Sequence, residues 1–236
     1  NKKSDVLNAI RKINKHEVQK YAVRGQYGSG WMQGKKEKAY REEKGVNPES
    51  ATDTFAAVKF YIDNWRWQGV PFYVRTGKHL MEKTTLITIQ FKEAPKYAFP
   101  SEASETWRAN RLTISIQPEM DIRLRFQAKR PGQTMSLNPV DMVFSYSDNY
   151  EEPQPEAYET LLLDAMMGNA TQFMRGDQVE IAWEVVAPIL ETWESRPGVD
   201  FPIFAPVSWG PEDAQALIDR DGRTWVTLRP KKDRKE

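Results

Sequence analysis

The sequence predicts an α+β fold, a large mainly antiparallel sheet with helices packed on one face. Three observations carry this. Four segments between Ile87 and Tyr146 alternate apolar and polar residues with a period of two. After Pro155 the apolar period lengthens to that of a helix, and it stays helical through Leu190. Finally, one apolar and one polar side per strand is the mark of an antiparallel sheet, whereas buried parallel strands read as continuous apolar runs.

Taken in order, Asp5 to His16 carries a helical stripe at Val6, Ile10 and Ile13. Val18 to Gly25 reads as a strand. Tyr27 to Ser50 is polar, rich in Gly and Lys and without period, so a long loop is expected. Phe55 to Trp65 is apolar on both sides, which suits a central strand or a buried helix. Then the alternation begins. Ile87, Ile89 and Phe91 oppose Thr88 and Gln90; Leu112, Ile114 and Ile116 oppose Thr113, Ser115 and Gln117. Ile122, Leu124, Phe126 and Ala128 oppose Arg123, Arg125, Gln127 and Lys129, and Met142, Phe144 and Tyr146 complete the set. From Pro155 to Met167 the apolar positions Tyr158, Leu161, Leu162, Ala165 and Met166 take helical spacing, with Gly168 as the stop. Val179, Trp183, Val186 and Leu190 mark a second helix, kinked or restarted at Pro188. Pro211 to Asp219 is a short helix, and Trp225 to Leu228 a last strand.

Composition narrows the function. At 236 residues and 39% hydrophobic, the chain buries one sizeable core and reads as a single large domain, residues 1–236. It has no cysteine, which excludes disulfides and thiolate metal sites and permits a reducing, cytoplasmic setting. No apolar run reaches the roughly eighteen residues of a membrane span. The net charge is +1 but unevenly spread: twelve Lys and Arg against five Asp and Glu in residues 1–45, then two against eleven in residues 151–200. The basic tail from Arg229 to Glu236 follows the last apolar segment as a solvated end. Basic residues are not interleaved with aromatics there, so no nucleic-acid partner is expected. Neither a membrane nor a metal is expected.

The densest chemistry stands at Val70-Pro71-Phe72-Tyr73-Val74-Arg75-Thr76-Gly77-Lys78-His79-Leu80. An apolar strand runs straight into two cations and a glycine. Arg75 can fork two bonds to a phosphate or carboxylate, and Lys78 adds a compact charge with three donors. Gly77 is expected to let the backbone turn and approach a ligand. Taken alone, Arg-x-Gly-Lys also describes an ordinary polar turn after a strand. His16 and His79 draw notice because histidine titrates near neutral pH.

The segment from Thr52-Asp53-Thr54-Phe55-Ala56-Ala57 through Arg66-Trp67-Gln68-Gly69-Val70-Pro71-Phe72 to Arg75-Thr76-Gly77-Lys78 resembles glucose-6-phosphate dehydrogenases. Further pieces match in order: Arg24-Gly25-Gln26-Tyr27, Ile116-Gln117-Pro118, Asn138-Pro139, Ala157-Tyr158-Glu159, Ala182-Trp183 and Gly210-Pro211. The resemblance covers about Val6 to Trp225 and favours a strand for Phe55 to Trp65. The family's Gly-x-Gly-x-x-Gly-like turn is missing, as is its Asp-His-Tyr-Leu-Gly-Lys segment; Gly25, Gly28 and Gly30 are spaced wrongly for the turn. The resemblance therefore implies a C-terminal substrate-binding and dimerisation domain without its N-terminal dinucleotide-binding domain, a reading that the Asn1 start also fits.

What the resemblance implies follows from that. The parent enzyme oxidises glucose 6-phosphate to 6-phosphogluconolactone with NADP as hydride acceptor, the first step of the oxidative pentose phosphate pathway, in the cytoplasm. Its catalytic base and partner histidine lie outside this chain, and the family places no catalytic histidine at His16 or His79. Lys78 and Lys83 are expected to reach the sugar phosphate, and Gln117 a sugar hydroxyl; for Lys83 a solvated turn lysine is the competing reading, and for Gln117 a satisfied turn amide. The expected partners are glucose 6-phosphate, the N-terminal domain, and a second copy paired through the sheet. The face carrying Thr113, Ser115, Arg123 and Arg125 suggests a polar interface. Some eukaryotic members hold a structural second NADP on this half. Here Arg75 and Trp225 are kept, but Ser115, Arg123 and Trp209 stand where those members have arginine, tyrosine and arginine. No structural NADP, and a bacterial-type protein, are expected. The alternative is a stand-alone, non-catalytic sugar-phosphate-binding or scaffold domain.

Overall fold

A computed structural model describes residues 2–32, 34–93, 108–150, 156–196 and 201–227. In chain order the elements are α1 (Lys2–Asn8), α2 (Val18–Tyr21), β1 (Ala22–Tyr27), β2 (Gly30–Met32), β3 (Lys35–Glu37), β4 (Phe55–Tyr61) and β5 (Pro71–Gly77). There follow β6 (Thr85–Gln90), β7 (Arg111–Gln117), β8 (Asp121–Lys129), β9 (Leu137–Ser145) and α3 (Tyr146–Asn149). The described elements close with α4 (Ala157–Met166), α5 (Gly176–Glu194), β10 (Ile203–Phe204) and α6 (Glu212–Asp219). The class is α+β and the sheet structure is dominated by antiparallel pairing, as the alternation predicts. The chain divides into two compact units, Asn1–Glu82 with Ala157–Glu236, and Lys83–Glu156.

The first unit is built on the sheet β10-β1-β4-β5, in which only the β1–β10 pair is parallel. Successive residues of a strand point to opposite faces, and both faces of this sheet are covered. Val23, Phe55 and Ala57 pack with Phe204 and with Ala214 and Leu217 of α6. Ala22 and Val58 point the other way and pack with Ile13, Val18 and with Ile189 and Trp193 of α5. The helices are thus divided between the faces of this sheet. Two-sided burial also explains why Phe55 onward is apolar without alternation. Strand β4 lies between β1 and β5, so the central-strand reading holds and the helix reading does not.

Several boundaries move for tertiary reasons. α1 stops at Asn8 because the next residues pair with the end of β4: Ile10 bridges Ile62, and the Arg11 N–H donates to the Tyr61 carbonyl at 2.9 Å. The helical stripe to His16 is therefore interrupted. Val18, fully buried, belongs to a helical turn, and the strand begins only at Ala22. The expected loop from Tyr27 to Ser50 contains the small β2–β3 hairpin and a 3-10 turn at Tyr40–Glu42. Pro188 lies inside a single helix, α5, whose next turn is held in the core by the buried Ile189 and Trp193. α4 ends as expected, with Gly168 left-handed at φ 70° and the Asn169 N–H returning to the Asp164 carbonyl at 2.8 Å. No strand forms over Trp225 to Thr227. Pro155, Leu228 and the basic tail from Arg229 lie outside the described residues.

The second unit is the antiparallel sheet β6-β7-β8-β9 with α3 after it. Ile114 faces Ile87 and Ile122 across the strands, and Ile122 faces Phe144, so the predicted alternation is real. Its exposure is the reverse of the one expected. Thr113, Ser115 and Asp121 are buried, while Ile87, Phe91, Ile116, Ile122, Met142 and Phe144 are exposed, Met142 at 62%. Alternation shows that two faces differ; it does not say which one is covered.

Candidate functional site

The end of β5 is held tightly. Phe55 pairs with Gly77 across the β4–β5 ladder, and the Lys78 N–H donates to the Thr54 carbonyl at 2.9 Å. Gly77 is needed there for a packing reason and not for a turn. A Cβ at this position would meet the Phe55 ring at 2.9 Å and the Thr54 carbonyl at 3.3 Å, and the residue is not left-handed. The expectation that it lets the backbone approach a ligand is replaced by close approach to Phe55.

The two cations of the Arg-x-Gly-Lys run have different fates. Arg75 is directly across from Ala57 on the α6 side of the sheet, and its guanidinium lies between the indoles of Trp209 (4.7 Å) and Trp225 (4.6 Å). It also donates to the Trp209 carbonyl at 3.4 Å, and burial draws its pKa down to about 10. A guanidinium so placed has its faces engaged in cation–π contacts, and its in-plane N–H groups remain its hydrogen-bond donors. Lys78 is exposed, and its ammonium forms no hydrogen bond or ion pair among the described residues. Three uncommitted donors on a fixed strand tip suit a phosphate or a polyhydroxylated ligand.

Lys83 and Gln117 belong to the second unit, where the sheet brings them to one end. Lys83 is exposed and likewise uncommitted among the described residues. Gln117, the last residue of β7, pairs with Thr85, and its carbonyl accepts from the Thr84 hydroxyl at 3.0 Å. Its side-chain amide makes no hydrogen bond among the described residues. His16 is exposed in the 3-10 turn Lys15–Glu17, with its N–H donating to the Asn14 side chain at 3.0 Å. His79 is partly buried, its ring 4.2 Å from that of Tyr27.

Asp53 was not singled out by the sequence. Burial pushes its carboxyl up to about 6, against the opposing pull of Arg24, whose Nη1 lies 3.9 Å away. One carboxylate oxygen is buried without a hydrogen bond. Arg24 is itself occupied with the end of α5, donating to the carbonyls of Trp193 (2.9 Å) and Arg196 (2.7 Å). Both residues stand in the quoted family segments, but nothing in the sequence marks two such distant positions as a pair. The β1–β4 register does so, by setting Gly25 against Phe55 and sending the Thr54 N–H to the Gly25 carbonyl.

Gly25, Gly28 and Gly30 do not form a glycine-rich strand-turn-helix. β1 runs into the β2–β3 hairpin and not into a helix, and Gly28 and Gly30 are packed against Ile203 and Pro206, where a Cβ would come within 2.7 Å. Among the described residues no group of His, Asp and Glu could hold a metal ion, and no helix is long and apolar enough to cross a membrane.

Comparison with known proteins is consistent throughout. The family model described as "Glucose-6-phosphate dehydrogenase, C-terminal domain" matches residues 1–226. Glucose-6-phosphate 1-dehydrogenase of Mycolicibacterium smegmatis is 44% identical over 223 residues, 94% of this chain and 44% of that protein. The enzyme of the same name from Chlamydia pneumoniae is 40% identical over 228 residues, 96% of this chain and 44% of that protein. A solved glucose-6-phosphate dehydrogenase in complex with its substrate glucose-6-phosphate superposes with a TM-score of 0.79 at 32% identity, covering 95% of this chain and 44% of that one. The chain thus spans less than half the length of the relatives it matches.

Proposed function

The chain belongs to the glucose-6-phosphate dehydrogenase family, and from that premise we propose that it is the C-terminal half of an enzyme that oxidises glucose 6-phosphate to 6-phosphogluconolactone with NADP. The observation that carries this reading is Lys78: an exposed, uncommitted ammonium on a strand tip whose backbone is pinned to Thr54. Such a group binds the anionic substrate without first giving up a protein partner, and its fixed origin orients the sugar for hydride removal at the anomeric carbon. Lys83 and Gln117 add an ammonium and an amide for phosphate and hydroxyl oxygens. NADP, when bound, accepts the hydride, and the N-terminal domain holds it. The relatives' names and the bound substrate of the solved relative support the substrate class. The setting is cytoplasmic.

Two copies pair through the second unit's sheet. The supporting surface is the exposed apolar face with Ile87, Ile116, Ile122, Met142 and Phe144, so the interface is apolar and not the polar one that alternation suggested. No structural second NADP binds, because Ser115, Arg123 and Trp209 stand where the members that hold one have arginine, tyrosine and arginine.

The test is made at two lengths. This chain alone gives no NADP reduction with glucose 6-phosphate, because hydride transfer needs an acceptor held against the sugar. In the full-length protein, Lys78→Ala lowers kcat/KM for glucose 6-phosphate by about 2–4 kcal/mol of transition-state stabilisation, the cost of a lost charge-assisted bond in a closed site. An unchanged kcat/KM removes Lys78 from the site.

A further inference from the structure

Among the described residues only His79 and Val207 are non-glycine residues with positive φ, at 51° and 61°, and they are bonded to each other. The Val207 N–H donates to the His79 carbonyl at 2.9 Å. A β-branched residue in this region is an outlier, and such strain persists where surrounding structure over-determines it, often next to functional groups. Here it follows directly on Lys78. The Lys78 N–H is fixed on Thr54, the Met81 N–H on the Ser208 carbonyl at 3.0 Å, and Leu80 bridges Ser208. The His79 ring lies tilted against the ring of the buried Tyr27, centroids 4.2 Å apart and planes 35° apart. Its Nδ1 is buried and makes no hydrogen bond. A buried nitrogen without a partner costs free energy, so the ring is placed by its contact with Tyr27 and not by a bond from this nitrogen.

We propose that His79 is a positioning residue: its ring on Tyr27 and its left-handed backbone lock the turn that presents Lys78 to the sugar phosphate. The inference rests on the reading of Lys78 as a substrate ligand. It separates two roles that neighbouring residues share, Lys78 touching the ligand and His79 acting only through Lys78.

The test uses the full-length protein and glucose 6-phosphate, with thermal melts to confirm folding. His79→Gly accepts the same φ but removes the ring; it raises KM for the sugar phosphate about tenfold while kcat changes less than about threefold, the scale of a misplaced ligand group. His79→Phe keeps a ring against Tyr27 and loses only the unpartnered nitrogen, so KM stays within about threefold of the parent. Should His79→Gly fail to fold, His79→Asn, which tolerates a left-handed backbone, carries the same expectation. In a Lys78→Ala background the His79→Gly change has no further effect, because coupled residues are not additive. His79→Phe as impaired as His79→Gly would show that the imidazole itself touches the ligand, and would overturn the proposal. So would an additive double variant, or a His79→Gly enzyme with the parental KM. If Lys78→Ala leaves KM unchanged, the Lys78 reading falls and takes this one with it; if Lys78→Ala raises KM and His79→Gly does not, the His79 proposal alone falls.

Discussion

The two units use the same alphabet of strands and treat their apolar residues in opposite ways. In the first, Phe55, Ala57, Val58, Leu217 and Ile189 are buried on two sides of one sheet, between α5 and α6. In the second, the apolar row of the sheet is exposed, and among its buried residues are Thr113, Ser115 and Asp121. The difference teaches that a clean pattern is not a finished core. The first unit satisfies its own pattern; the second leaves its apolar row exposed.

Deleting one side chain from each sheet separates the two units most clearly. Phe55→Ala empties the space shared with Phe204 and Leu217 and is expected to cost about 3–5 kcal/mol in urea unfolding. Met142→Ala, at an exposed position, is expected to cost less than about 0.5 kcal/mol in the monomer. Comparable losses would mean that the second sheet is as well covered as the first. Its exposed face is tested next. Sedimentation of the chain at micromolar concentration is expected to show a dimer, and the double change Ile122→Lys with Met142→Lys to leave a monomer near 27.3 kDa. A monomer before any substitution would count against pairing through this sheet.

Asp53 sharpens the comparison from the electrostatic side, since the first unit buries this carboxyl at a cost. Its folded pKa of about 6 is above its ordinary value of 3.8, so the folded state holds the proton more tightly. Stability from this group is therefore fully present below about pH 4 and is lost as pH rises through about 6. Asp53→Asn removes that loss, with an expected gain on the order of 2 kcal/mol at pH 8 and little change at pH 4. Equal effects at both pH values would show that the carboxyl is not raised. The smallest expected effect is none at all: calorimetric titration of this chain with NADP gives no saturable binding at micromolar concentration, because Ser115, Arg123 and Trp209 replace the arginine, tyrosine and arginine of a structural NADP pocket. Saturable binding would show that these departures do not remove the pocket.

Much of the fold was legible. β6 to β9 announce themselves because each has one polar and one apolar side, and α4 and α6 because their spacing is helical and their stops are local. α1 and β1 were misread at their ends because those ends are set by partners far along the chain, Tyr61 for Arg11 and the α5 side of the core for Val18. At the site, Lys78 was legible as a cation after a strand, and its neighbour Arg75 looked its equal. They differ because one lies over Ala57 within reach of Trp209 and Trp225, and the other lies past the last ladder pair.

Residue type and short spacing were enough to give the class, the family, the alternating faces and the strand that delivers Lys78. Three further facts came from the folded chain: which face of the second sheet is exposed, that indoles stack on Arg75, and that Asp53 lies against Arg24. Each of these depends on what distant segments bring within a few ångströms. Burial, stacking and charge desolvation act through space, and no local pattern encodes the neighbour that supplies them.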